Sequence, residues 1–103
     1  MYLDELENEV YEYVQKRVRE LIGDAELILM KNDYLESSKI GVSSYDMVQL
    51  FMDIEKAYSI RIPDNMLFMD KVDDIVTGVH KLVEQSEEYK RKILKTQELL
   101  FGD

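Results

Sequence analysis

The chain has 103 residues, 46% apolar and 34% charged, with 13 bases against 22 acids for a net charge of −9, one histidine and no cysteine. That balance suits one small soluble domain able to bury a core without metal or disulfide staples. It excludes disulfides, thiolate nucleophiles and sulfur-ligated metals, and it disfavours nucleic-acid phosphates while favouring partners with basic surfaces.

Residues 1–9 carry four acids where a signal peptide is basic and then apolar. No stretch reaches the roughly 18 uncharged apolar residues of a membrane span. A cytoplasmic location is therefore expected. Four glycines and one proline leave few breakers, and apolar spacings of three and four predict a mainly helical chain with no strand. The first helix is marked by Leu3, Leu6, Val10, Tyr13 or Val14, Val18 and Leu21, one apolar stripe on a charged rod that ends near Gly23.

From Asp24 to Ser43 the periodicity lapses into a long ordered loop, with Leu29, Tyr34, Leu35 and Ile40 as candidate core plugs. Ser43 followed by Asp46 fits an acidic capping box, and Met47, Leu50, Phe51, Ile54 and Tyr58 continue a second helix behind it. Ser59 to Asp64 breaks that helix, because Pro63 forces residue 62 out of the helical region. A short helix is expected over Asn65 to Phe68. Asp73 or Asp70 then caps a last helix with Ile75, Val76, Val79, Leu82 and Val83 inward. Asp70, Asp73 and Asp74 lack the spacing of a calcium loop and are expected to serve as caps. His80 reads as an ordinary boundary residue.

Residues 1–80 hold 17 acids and 8 bases, whereas residues 81–103 hold five of each. Two units are therefore expected: a helical domain over 1–84 and a C-terminal helical extension over 85–103. In the extension Tyr89, Ile93 and Leu100 prolong the apolar series; a frayed tail is the alternative. Its Lys90, Arg91, Lys92 and Lys95 would face Asp4, Glu5, Glu7 and Glu9 of an equally lengthened first helix. A monomer is favoured.

The residue with chemical promise is Ser44. It lies one position after the proposed cap, so its hydroxyl is expected to be free and exposed at the positive end of a helix, where a phosphate ester is favoured. The run Ile40-Gly41-Val42-Ser43-Ser44-Tyr45-Asp46-Met47-Val48-Gln49-Leu50 through Ile60-Arg61-Ile62-Pro63-Asp64, 25 residues without a gap, resembles the acyl carrier proteins. Their pattern is Leu-Gly-x-Asp-Ser-Leu-Asp, a helix, then Ile-Pro-Asp. The resemblance covers about residues 10 to 84. Val14, Val18 and Ile22 suit the family's first helix, and Met69, Val72, Ile75, Val76 and Val79 its last.

The resemblance implies an all-α, acyl-carrier-like four-helix bundle, three main helices and one short one, with extended first and last helices. It places 4′-phosphopantetheine covalently on Ser44, attached by a separate phosphopantetheinyl transferase. It implies a non-catalytic carrier of thioester-bound acyl, aminoacyl or peptidyl groups. Partner recognition would fall on Tyr45, Val48 and Met52 for apolar contact, and on Asp46, Asp53 and Glu55 for the basic surfaces of acyl- or peptide-processing enzymes. Ser43 and Tyr45 replace the family's Asp and Leu or Met, while Gln49 and Lys56 replace acids. Glu36 falls where the family buries an aromatic, so Tyr34 or Leu35 is expected to fill that place.

These departures suggest a specialised pathway. Length and the Ser-Ser-Tyr variant also look like acyl-carrier-related proteins of peptide maturation systems. An unmodified protein-interaction module on the same fold is the competing expectation. No triad, metal cluster or acid pair suggests an enzyme.

Overall fold

The computed structural model describes residues 2–86, which form three α-helices and one 3₁₀ turn. Helix α1 spans Glu5–Ile22, α2 Ser44–Tyr58 and α3 Val72–Gln85, with the 3₁₀ turn at Asp64–Met66 standing for the expected short helix. Among the described residues the only extended pairing is an isolated bridge between Tyr34 and Lys71. The all-helical expectation is borne out.

Helix α1 starts later than its apolar stripe suggested. Asp4 is the N-cap, its carboxylate accepting from the Glu7 amide at 3.0 Å, so Leu3 lies outside the helix and is fully exposed. Tyr2 is buried in its place, with its ring 5.6 Å from Tyr11 and its hydroxyl donating to Asp73 at 3.1 Å. The helix ends where expected. Gly23 takes a left-handed φ of 72°, and its amide closes on the Arg19 carbonyl.

Helix α1 packs on both α2 and α3, and Val10, Val14, Val18, Leu50, Ile54, Ile75, Val76 and Val79 are wholly buried between them. One polar side chain shares this core. Gln15 Oε1 accepts from the Leu29 amide at 2.8 Å, and the Tyr11 hydroxyl lies 2.9 Å from it and 2.8 Å from the Leu29 carbonyl. This network pins the start of the long loop onto α1 and leaves no buried polar atom there without a partner.

Helix α2 ends where expected, at Ser59, which takes a left-handed φ of 53° and closes on the Glu55 carbonyl ahead of Pro63. The start of the last helix differs from expectation. Helix α3 is preceded by Lys71 with no side-chain cap, and neither Asp70 nor Asp73 caps it. Asp73 lies inside the first turn and receives the Tyr2 hydroxyl instead. At its far end α3 closes at Gln85, with Ser86 extended. The rest of the expected extension, from residue 87 onward with its basic residues, lies outside the described residues.

The acids of the N-terminus nonetheless meet a partner on α3. His80, only 13% exposed in its side chain, has Nε2 3.3 Å from Asp4 and Nδ1 2.9 Å from Glu84 and 3.7 Å from Glu7. Three carboxylates thus surround a residue that the sequence presented as ordinary: Glu84 one turn away, and Asp4 and Glu7 from the start of α1. The separation of Asp4 and Glu7 from His80 by more than 70 positions hid the cluster.

Candidate functional site at the start of helix α2

The loop before α2 is fixed by backbone bonds to the start of α3. The Leu35 amide donates to the Asp70 carbonyl at 2.8 Å, the Val72 amide to Asp33 at 2.9 Å and the Asp73 amide to Lys31 at 3.0 Å. Leu35 is fully buried and fills the place open to Tyr34 or Leu35, whereas Tyr34 is 52% exposed and plugs nothing. Leu29 and Ile40 are buried as expected. Asp33 reinforces the turn by accepting from the Met30 amide at 2.8 Å and from Lys39 Nζ at 3.2 Å, contacts that hold its carboxyl below the ordinary range.

The same loop then delivers the chain to α2. The Val42 amide donates to the Leu35 carbonyl at 2.9 Å, and Gly41 turns there with a φ of 85°, a conformation that strains any residue bearing a Cβ. Ser43 is the N-cap as expected, its Oγ accepting from the Asp46 amide at 3.1 Å. Ser44 becomes the first residue of the helix and is exposed. Its hydroxyl is not free. It donates to Glu36 Oε1 at 3.2 Å, a partner that sequence alone could not supply because the loop's backbone bonds create the contact.

The first turn of a helix leaves amides without helical partners and carries the positive end of the dipole. The Ser44 hydroxyl is exposed on that turn, with the Glu36 carboxylate beside it and Asp46 in the same turn as the nearby features that oppose an anion.

The six residues expected to face partners divide into two sets. Tyr45, Val48 and Met52 project from one face of α2 and are 80%, 58% and 46% exposed. Asp46 stands half-buried in the first turn. Asp53 is held inward, its Oδ2 taking the Arg17 guanidinium (Nε at 3.1 Å) and its Oδ1 the Gln49 amide at 3.0 Å. Glu55 accepts from the Ile62 amide at 2.9 Å and pins the strap after the helix. Leu67 and Phe68, not singled out from sequence, are exposed just after the 3₁₀ turn.

No described helix is long and apolar enough to cross a membrane, and among the described residues no group of three or more His, Asp or Glu is arranged to hold a metal ion. No protein-family model and no solved structure matches the chain. A curated protein named acyl carrier protein, from Chloroherpeton thalassium, is 25% identical over 87 residues, which is 84% of this chain and the whole of that relative. The resemblance read over about residues 10 to 84 is thus matched by a relative aligned along most of the sequence, and the all-helical architecture is consistent with an acyl-carrier-like bundle.

Proposed function

We propose that the chain is a carrier protein bearing 4′-phosphopantetheine on Ser44, and that it serves a specialised biosynthetic or peptide maturation pathway in the cytoplasm. The observation that carries this reading is the coincidence of the family's modified serine with an exposed hydroxyl on the first residue of α2. The likeness to an acyl carrier protein supports it. The bound arm supplies a terminal thiol that holds an acyl, aminoacyl or peptidyl group as a thioester. The protein presents that arm and directs it to partners.

Tyr45, Val48 and Met52 form the contact face, with Asp46 as the acid beside the arm. Asp53 and Glu55 serve it indirectly by setting the helix in place. Partners are a phosphopantetheinyl transferase and acyl- or peptide-processing enzymes with basic surfaces, met by a protein of net charge −9. Ser43 in place of the family's aspartate favours a second reading, an unmodified interaction module using the same apolar face.

The absence of cysteine makes the test direct. After coexpression with a broad-specificity phosphopantetheinyl transferase, a thiol reagent applied to the denatured protein should find one equivalent, and Ser44→Ala should have none. An unchanged intact mass with several transferases would instead support the interaction module.

A further inference from the structure

Tyr2 precedes the cap of α1, yet its side chain is buried while the neighbouring Leu3 stands in solvent. Its contacts come from three segments: its ring lies 5.6 Å from Tyr11 on α1, its hydroxyl donates to Asp73 in the first turn of α3 at 3.1 Å, and the Lys31 ammonium of the loop sits 4.4 Å from the ring centroid. Asp73 and Lys31 are themselves joined, the Asp73 amide donating to the Lys31 carbonyl at 3.0 Å. Tyr2, Lys31 and Asp73 thus close a circuit. Burial first, and then the Asp73 carboxylate, push the Tyr2 hydroxyl above its ordinary range, so it keeps the proton it donates.

That circuit sits at one end of a backbone seam. The Val72 amide bonds the Asp33 carbonyl and the Leu35 amide the Asp70 carbonyl, and the Leu35 carbonyl then takes the Val42 amide, two residues before Ser44. Tyr11, against which Tyr2 packs, holds the Leu29 carbonyl at the start of the loop. We propose that the segment before α1 is a clasp, closed by Tyr2 over the loop and the start of α3, whose opening frees the seam that sets the loop ahead of Ser44. Lys31 is exposed and Asp73 half-buried, so the clasp opens to solvent without parting the helix core. Only its effect at Ser44 rests on the carrier reading. While the clasp is open the loop leaves its single arrangement, and a partner that reads Ser44 in the closed arrangement finds a smaller competent fraction.

The test is native-state amide exchange at increasing denaturant on the full chain, for wild type, Tyr2→Ala and Tyr2→Phe. In wild type the seam amides of Leu35, Val72 and Asp73 should exchange through one opening that exposes less surface than the unfolding seen at Leu50 and Ile54. Tyr2→Ala should speed them on the order of 10-fold through that same small opening, and Tyr2→Phe, which keeps the ring but loses the bond to Asp73, should fall between. Seam amides that exchange only together with Leu50 and Ile54, or that ignore both variants, overturn the clasp. In loading by a broad-specificity transferase, read by intact mass, Tyr2→Ala should raise KM for the carrier several-fold with kcat kept. An unchanged KM overturns the link to Ser44. Failure of wild type itself to load removes the carrier reading and that link together, while exchange still decides the clasp.

Discussion

The two halves of helix α2 are held in opposite ways. The second half is tied to the rest of the molecule: Asp53 by Arg17 and Gln49, the Asp53 carbonyl by the Tyr13 hydroxyl at 3.2 Å, Glu55 by the Ile62 amide, and the Tyr58 ring edge-on to Tyr13 at 5.7 Å. The first half presents Ser44, Tyr45 and Val48 to solvent, and its outward ties are the Ser43 cap and the Ser44 contact with the exposed Glu36. An acid on a helix is therefore not automatically an acid on a recognition surface. Where α1 brings a guanidinium alongside, the fold takes the charge for itself.

Leu50 is fully buried midway along α2 and anchors both halves. Leu50→Ala should cost about 2–5 kcal/mol through lost burial and the cavity left behind, measured by denaturant unfolding. Asp53→Ala should cost about 1–3 kcal/mol, because the Arg17 guanidinium and the Gln49 amide lose their acceptor in a partly buried place. Asp46→Ala should cost less, about 0.3–1 kcal/mol from the helix dipole. Equal losses at Asp46 and Asp53 would erase the contrast between the halves.

Titration separates the halves in another way. Burial first, then the nearby charges of Glu9 and Tyr13, push the Tyr58 hydroxyl up to about 12 from 10.0. Folding thus favours its neutral form. That contribution is complete below pH 10 and is lost as pH rises toward 12. Unfolding midpoints should decline across that window, and Tyr58→Phe should flatten part of the decline. An identical pH profile in the variant would show that Tyr58 plays no part in it.

The helices were legible because their signals are local. Periodic valines, a left-handed glycine after Ile22 and a serine three residues before Asp46 each act within one or two turns. The errors share one cause. Leu3, Tyr34, the start of α3, His80 and the pairing of Ser44 with Glu36 were all decided by contacts beyond one helical turn. Tyr2 displaces Leu3 because Asp73 lies within reach of its hydroxyl. Leu35 rather than Tyr34 is buried because the Asp70 carbonyl fixes its amide and hence the phase of the loop. The site's hydroxyl was visible in the sequence, but the carboxylate that holds it was not.

Ser43 and Ser44 carry the contrast to its smallest scale, two identical side chains one position apart. Ser43 Oγ satisfies an amide that the helix cannot, so Ser43→Ala should cost about 1 kcal/mol. Ser44 bonds only an exposed, mobile-length side chain, and Ser44→Ala should shift stability by no more than about 0.5 kcal/mol. Loading should respond in reverse: Ser43→Ala should still take up an arm, because Ser44 remains the first helical residue, whereas Ser44→Ala should take up none. A stability loss at Ser44 as large as that at Ser43 would mean that its bond to Glu36 belongs to the scaffold, and the front of α2 would then be held as firmly as the back.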